Sequence, residues 1–276
     1  DKIPVHSVEV AYMLNKNTGY IKIIRFSATT YEEFMKGMET LSEKGLKNVI
    51  LDLRYNPGGY LQQATNMLSQ FFKDKDKLLV YTQGRTVSRT EYKTTGRPSF
   101  DIENVVVLID EGSASASEII AGAIQDHDRG LIVGRRSFGK GLVQEQYRLS
   151  DGSALRLTVA RYYTPSGRSI QKPYKGNPSY EEDVFKRYES GEFFSAEKNV
   201  VKDSTKFYTS GGHVVFGGGG IMPDVFVPVD STLMSDHYLE LRQHVSGFVF
   251  NYMQQHEKRF KDYQLASFRN NFYTSD

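Results

Sequence analysis

The sequence predicts an α/β fold, with a largely parallel sheet flanked by helices, and three observations carry that prediction. Short, almost wholly apolar runs, NVILDL (48–53), NVVVLID (104–110) and GLIVG (130–134), read as strands covered on both faces. Segments with the 3.6-residue apolar period alternate with them, which is the β-α-β-α order of a parallel sheet. The turns that follow two of these strands, RYNPGG (54–59) and GSASASE (112–118), are rich in Gly and Ser. In such sheets ligands gather beyond the carboxyl ends of the strands.

The elements follow in order. HSVEVAYML and GYIKIIRF read as two strands joined by an NKNTG turn. TYEEFMKGMETLSEKG is a helix: Tyr31, Phe34, Met35, Met38 and Leu41 keep the period, Thr30 can cap its start and Gly45 ends it. After RYNPGG, Leu61, Ala64, Leu68, Phe71 and Phe72 form one helical stripe. LLVYTQ is a strand, and the polar, β-branched RTVSRTEYKTTG suggests an exposed hairpin or flap. Ala116, Ile119, Ile120, Ala123 and Ile124 mark the core face of the helix after the serine turn. LVQEQYRL alternates like a strand and ALRLTVARYYT is a long one. PSGRSIQKPYKGNPS (165–179) is a loop by composition, and YEEDVFKRYESGEFF a short helix with an aromatic tail. Met234, Tyr238, Leu241, Val245, Phe248 and Tyr252 recur at helical spacing, a stripe read as core packing.

Bulk composition excludes several classes. The 276 residues suffice for one large domain or two small ones. A net charge of +2 offers no basic stripe for nucleic acid. No apolar run approaches the ~18 residues of a membrane span. With no cysteine, a Cys nucleophile, a disulfide framework and a Cys-based zinc site are all excluded. The six histidines form no tight metal-ligand spacing; His237 and His244, seven apart, read as a surface helix face. No metal or cofactor is therefore expected. The chain opens without Met or a signal-like segment, as a processed or excised chain would.

Three motifs bear chemistry. GRRSFGKG (134–141) nearly matches a phosphate-binding P-loop, but Gly141 stands where the Mg²⁺-holding hydroxyl belongs and a strand-like run follows where a helix is required. The glycines on both sides of Lys140 still let the backbone aim one lysine into a confined space. A lysine can replace histidine as the base for a serine: its free pKa of ~10.4 falls by up to ~3–5 units on burial in an apolar pocket. The serine turn fits the capping box S-x-x-E over Ser115 and Glu118, and by local pattern alone is a helix start. A helix N-terminus also offers free N–H groups to an oxyanion. The RYNPGG loop can expose a second such donor, although Pro-Gly-Gly is most often an ordinary turn.

Three segments together, VILDLRYNPGGYLQQA, VVVLIDEGSASASEIIAGAIQDHDRGLIVGRRSFGKGLVQEQ and GSALRLTVARYYTPSGRSIQ, resemble the S41 family of carboxyl-terminal processing (tail-specific) serine peptidases. The resemblance covers about residues 19 to 170; beyond them only GGIMPDVFVPV is similar to a family segment. It implies a core fold shared with the Clp protease and crotonase group, with a mixed C-terminal extension. It implies Ser115 as nucleophile, Lys140 as base 25 residues on, and Gln144 as the residue that orients the lysine. Four residues of extended strand span ~13 Å, so contact between Gln144 and Lys140 requires a bend at Gly141. The oxyanion donors implied are the amides of Ala116 and of Gly58 or Gly59, with Gly58 preferred. The domain reading is a link over 1–18, a peptidase core over 19–170 and an extension over 171–276 packed on the core, without the PDZ domain that usually precedes the core. The function implied is a Ser-Lys endopeptidase that cleaves polypeptides near their C-termini, in a bacterial periplasm or cell envelope; the resemblance allows a homo-oligomer. A hydrophobic-ligand or peptide-binding module on the same fold is the alternative, and a P-loop nucleotidase a lesser one.

Overall fold

The structure, a computed structural model, describes residues 6–172, 182–199, 205–230 and 236–261. In chain order the elements are β1 (Val8–Met13), β2 (Thr18–Ile23), α1 (Thr30–Ser42), β3 (Asn48–Asp52), α2 (Leu61–Ser69), β4 (Lys75–Gln83), β5 (Thr90–Thr95), β6 (Asn104–Ile109), α3 (Ala116–Asp126), β7 (Gly130–Gly134), β8 (Leu142–Arg148), β9 (Ala154–Tyr163), α4 (Glu182–Glu189), β10 (Lys206–Tyr208), β11 (Val214–Phe216), β12 (Val225–Phe226), α5 (Asp236–Gln255) and α6 (Glu257–Phe260).

The main sheet has the order β1-β2-β3-β6-β7-β12. Every pair in it is parallel except β1 with β2. The apolar runs are its centre: Leu51 pairs with Val107 and Val107 with Ile132, and all three side chains are fully buried. Successive parallel neighbours are joined through α1, through α2 with the β4–β5 hairpin, and through α3, as the alternation predicts. A second, antiparallel sheet, β5-β4-β9-β8, takes in the expected hairpin and the long β9. The pairing of β9 with β4 across about eighty residues had no sequence signal, because polar alternating strands carry little partner information.

Sequence periodicity predicts one buried stripe on α3, but the helix is buried along its whole length, including Ser117, Glu118, Gln125 and Asp126. It packs against α2, β7 and β4, so its polar face also meets protein. Each of those polar groups has a partner. Gln125 donates to the Met222 carbonyl (2.9 Å) and Asp126 pairs with the fully buried Arg168 (2.7 Å). A buried polar group without a hydrogen bond costs about 1–3 kcal/mol, so these pairings are a condition of the helix lying where it does.

The chain has two compact parts, and one expectation differs from the structure. Asp1–Pro228 form one compact unit and Val229–Asp276 a second. β12, well beyond residue 170, completes the main sheet beside β7. The helical stripe read as core is not core. Met234 lies outside the described residues, and Leu241, Val245 and Phe248 on α5 are 62%, 53% and 56% exposed. Periodicity reports an apolar face and not what covers it. Part of the loop expected over 165–179 also lies outside the described residues.

Candidate active site

Strands β3, β6 and β7 are adjacent and parallel, so the loops that leave their carboxyl ends emerge side by side. These are the Arg54–Gly59 segment, the serine turn and the segment from Arg135 to Gly141. The fold thereby brings together motifs that lie far apart in sequence.

The first loop is anchored by Asn56, which is fully buried. Its Nδ2 donates to the Ile23 carbonyl (2.8 Å), its Oδ1 accepts the Gly58 amide (2.9 Å), and its own carbonyl accepts the Ala114 amide and the Ser117 hydroxyl (both 3.0 Å). Phe26 and Gly59 form a parallel bridge, with Phe26 N–H donating to Gly58 O and Tyr60 N–H to Phe26 O (both 2.9 Å). In that pattern the Gly59 N–H points away from Phe26, and it has no hydrogen-bond partner among the described residues. Gly58 (φ +93°) lies against the serine turn: a Cβ there would sit 2.6 Å from Ala114 O and 2.8 Å from the Ala116 nitrogen. Beneath the loop, Asp52 accepts a fork from Arg54 (2.6 Å from Nη2) and the Tyr20 hydroxyl (2.5 Å). Burial pushes the Asp52 carboxyl up, but the donors from Arg54 and Tyr20 outweigh it and hold it below the usual range. Burial and the Asp52 carboxylate push Tyr20 up to about 12.

In the second loop the outer serines are structural. Ser113 Oγ donates to the Leu53 carbonyl (2.8 Å) and accepts the Asp110 amide (2.9 Å), while Ser117 Oγ holds the Asn56 carbonyl. Ser115 is the N-cap of α3 and has φ 54° and ψ −111°, a conformation that non-glycine residues seldom adopt. The Ala116 amide, at the first position of the helix, has no partner among the described residues.

The third loop carries Lys140. Glu118 governs it from the first turn of α3. This carboxylate is fully buried and accepts four donors: Ser137 Oγ (2.5 Å) and the Gly139 amide (2.7 Å) on one oxygen, the Lys140 amide (2.8 Å) and the Ser115 amide (2.9 Å) on the other. Burial pushes its carboxyl up, against the pull of those donors. The Phe138 amide also donates to Ser113 O (2.9 Å), tying the lysine loop to the serine turn directly.

Ser115, Lys140, Gln144, Gly58 and Gly59 line one cavity of about 550 Å³ with Tyr162, Leu142, Arg156 and Tyr60 among its other walls. The chain is irregular through Gly141, β8 begins at Leu142, and a bulge falls between Val143 and Gln144. These are the departures from a straight strand that a shared cavity for Lys140 and Gln144 requires. Because a strand and not a helix follows Gly141, the segment lacks the helix N-terminus that a P-loop needs. No hydrogen bond or ion pair holds the Lys140 ammonium among the described residues.

Sequence reasoning missed the place of two residues in this site. Tyr162 is buried and lines the same cavity as Ser115; burial pushes the phenol up. Strand alternation in β9 was its only signal. Glu118 was read as a carboxylate at a helix N-terminus, which it is, but three of its donors come from a loop about twenty residues on.

The fold and cavity define an α/β protein with a polar site at the carboxyl edge of its parallel sheet. The chain belongs to peptidase family S41, whose family model matches residues 17–178. Its relatives include a carboxyl-terminal-processing protease of Synechocystis, 41% identical over 157 residues, which are 57% of this chain and 36% of the relative. A carboxy-terminal-processing protease of Bartonella bacilliformis is 43% identical over 169 residues, 59% of this chain and 38% of that protein. Each match thus spans little more than a third of the relative. Among solved structures, a photosystem II D1 C-terminal processing protease is 27% identical, with a TM-score of 0.58 over 83% of this chain and 50% of its own. An S41 protease structure from Bacteroides fragilis shares the fold at 14% identity, with a TM-score of 0.59 over 90% of this chain and 60% of that one.

Proposed function

We propose that this chain is the catalytic core of a serine endopeptidase that cleaves polypeptides near their C-termini, with Ser115 as nucleophile and Lys140 as base. The observation that carries the reading is the common cavity of Ser115, Lys140 and Gln144, on loops joined by one buried carboxylate. Lys140, as the free amine, takes the proton of Ser115 while Oγ attacks the scissile carbonyl. The tetrahedral intermediate collapses, the lysine ammonium protonates the leaving amine, and the acyl group stays on Ser115. Water, deprotonated by Lys140, then attacks the ester and frees the acid and the serine. Gln144 orients the lysine. Amides of Ala116 and of the Pro57-Gly58-Gly59 turn hold the developing oxyanion, each worth about 2.7–4 kcal/mol. The Gly58 amide is engaged by Asn56, whereas that of Gly59 has no partner among the described residues, which favours Gly59 as the second donor.

The same reading takes the fold as ClpP/crotonase-like and the protein as one of a bacterial periplasm or cell envelope, with a homo-oligomer allowed. No helix among the described residues is long and apolar enough to cross a membrane. The test is digestion of a protein with a defined C-terminus by the full-length parent, read by mass spectrometry. Ser115→Ala and Lys140→Ala are each expected to lower turnover by on the order of 10⁴-fold or more. Full activity of either variant overturns the assignment.

A further inference from the structure

We propose that residues 182–192, α4 and the turn after it, position Lys140 through Arg187 and Glu192. The segment lies beyond the 17–178 match to the family, and its sequence gave no sign of a role. Arg187 donates from Nη2 to the Arg136 carbonyl (2.6 Å) and from Nη1 to the Ser137 carbonyl (3.1 Å). Its Nε donates to Glu192 Oε1 (2.9 Å). Glu192 in turn accepts the Arg136 guanidinium at both oxygens (2.8 and 2.7 Å), and Arg136 Nη1 donates to Gly219 O (2.5 Å). All three side chains are 3–5% exposed.

A second anchor runs through Lys172, whose ammonium pairs with Asp183 on α4 (3.1 Å) and lies 3.9 Å from the Phe138 ring centre. Its backbone amide donates to Gly139 O (3.0 Å). The lysine loop is therefore held on two sides. Glu118 takes the Ser137 hydroxyl and the Gly139 and Lys140 amides; Arg187 and Lys172 take the carbonyls of Arg136, Ser137 and Gly139. A buried double-Arg network is a costly way to add stability alone, since apolar residues of like volume often do as well. What it supplies here is direction: a planar fork fixes the carbonyls three and four residues before Lys140.

The inference rests on Lys140 being the base, and the test separates the two claims. Arg187→Met leaves Arg136 and Glu192 as a matched pair, so a folded variant is expected. Its kcat should fall ~10²-fold, the scale of an ångström misplacement, with KM within about twofold of wild type. Hydrogen exchange at the Gly139 and Lys140 amides should quicken, with exchange in β3 and β6 unchanged. Arg187→Lys, which keeps the charge and loses the fork, should recover part of both; if Arg187→Met does not fold, Arg187→Lys is read against wild type instead. A folded variant with only one of the two effects, or neither, overturns the proposal. If wild type shows no Ser115-dependent cleavage, the peptidase reading falls and exchange alone decides the clamp: faster exchange upholds it and unchanged exchange overturns it.

Discussion

The backbone amide of Lys140 donates to Glu118 at 2.8 Å, and the same carboxylate oxygen accepts the amide of Ser115 at 2.9 Å. The two amide nitrogens consequently lie within about 6 Å of each other, the most that two such hydrogen bonds on one atom allow. A side chain on the helix of the serine thus fixes the distance between the loop of the serine and the loop of the lysine.

Glu118→Gln should therefore damage catalysis more than folding. A glutamine presents an NH₂ to two of the four donors that a carboxylate satisfies, and each buried group left unpaired costs about 1–3 kcal/mol. The expected result is a folded protein with kcat down by ~10²-fold and a Tm lowered by several degrees. Wild-type kcat in a folded Glu118→Gln protein would refute the pivot.

The Gly58 position should tolerate no side chain. Its φ of +93° disfavours any L-residue, and a Cβ would meet Ala114 O, Ser115 Cβ and the Ala116 nitrogen at 2.6–2.8 Å. Gly58→Ala should cost about 1–3 kcal/mol of stability and push the serine turn away from the Pro-Gly-Gly turn. Activity should fall more steeply than the loss of folded protein accounts for, which activity per folded molecule measures. A proportional loss would show that the two turns do not cooperate.

Tyr162→Phe removes a buried phenol from the wall of the cavity that it shares with Ser115. A neutral hydrogen bond contributes about 0.5–1.5 kcal/mol, so kcat/KM should change by no more than ~10-fold. A loss comparable with Ser115→Ala would instead make Tyr162 part of the proton-transfer machinery. Steady-state kinetics of the two variants side by side decide between these outcomes.

His127 should make stability depend on pH. Burial pushes its imidazole below the ordinary range, and Nε2 lies 2.6 Å from the Leu78 carbonyl. A depressed pKa means that the folded state favours the neutral ring. The contribution is fully present above the unfolded value of ~6.5 and is lost as pH falls from there through the folded value. Between pH 7 and 5 the Tm of wild type should fall more than that of His127→Gln. Equal slopes in thermal unfolding scans would contradict this.

The apolar runs of β3, β6 and β7 were legible in the sequence because strands buried on both faces leave no alternation to misread. Ser115, Lys140, Gln144 and the Pro-Gly-Gly turn were legible through their family pattern, and the fold gives them one cavity because their loops leave neighbouring parallel strands at the same end. Local pattern misled where a residue's partners are distant. Leu241, Val245 and Phe248 form a helical stripe without being core, and Glu118 reads as half of a capping box although most of its donors sit on another loop.

By itself, then, the sequence determined the α/β class and its apolar strands, since these depend on periodicity and residue type within short windows, and it offered the site residues only through a family pattern. Only the tertiary structure decided that Asn56 occupies the Gly58 amide, that Tyr162 shares a cavity with Ser115, and that Arg187 and Glu192 grip the lysine loop. Those relations join side chains and amides distant along the chain, and a hydrogen bond a few ångströms long has no counterpart in sequence until the intervening chain has folded.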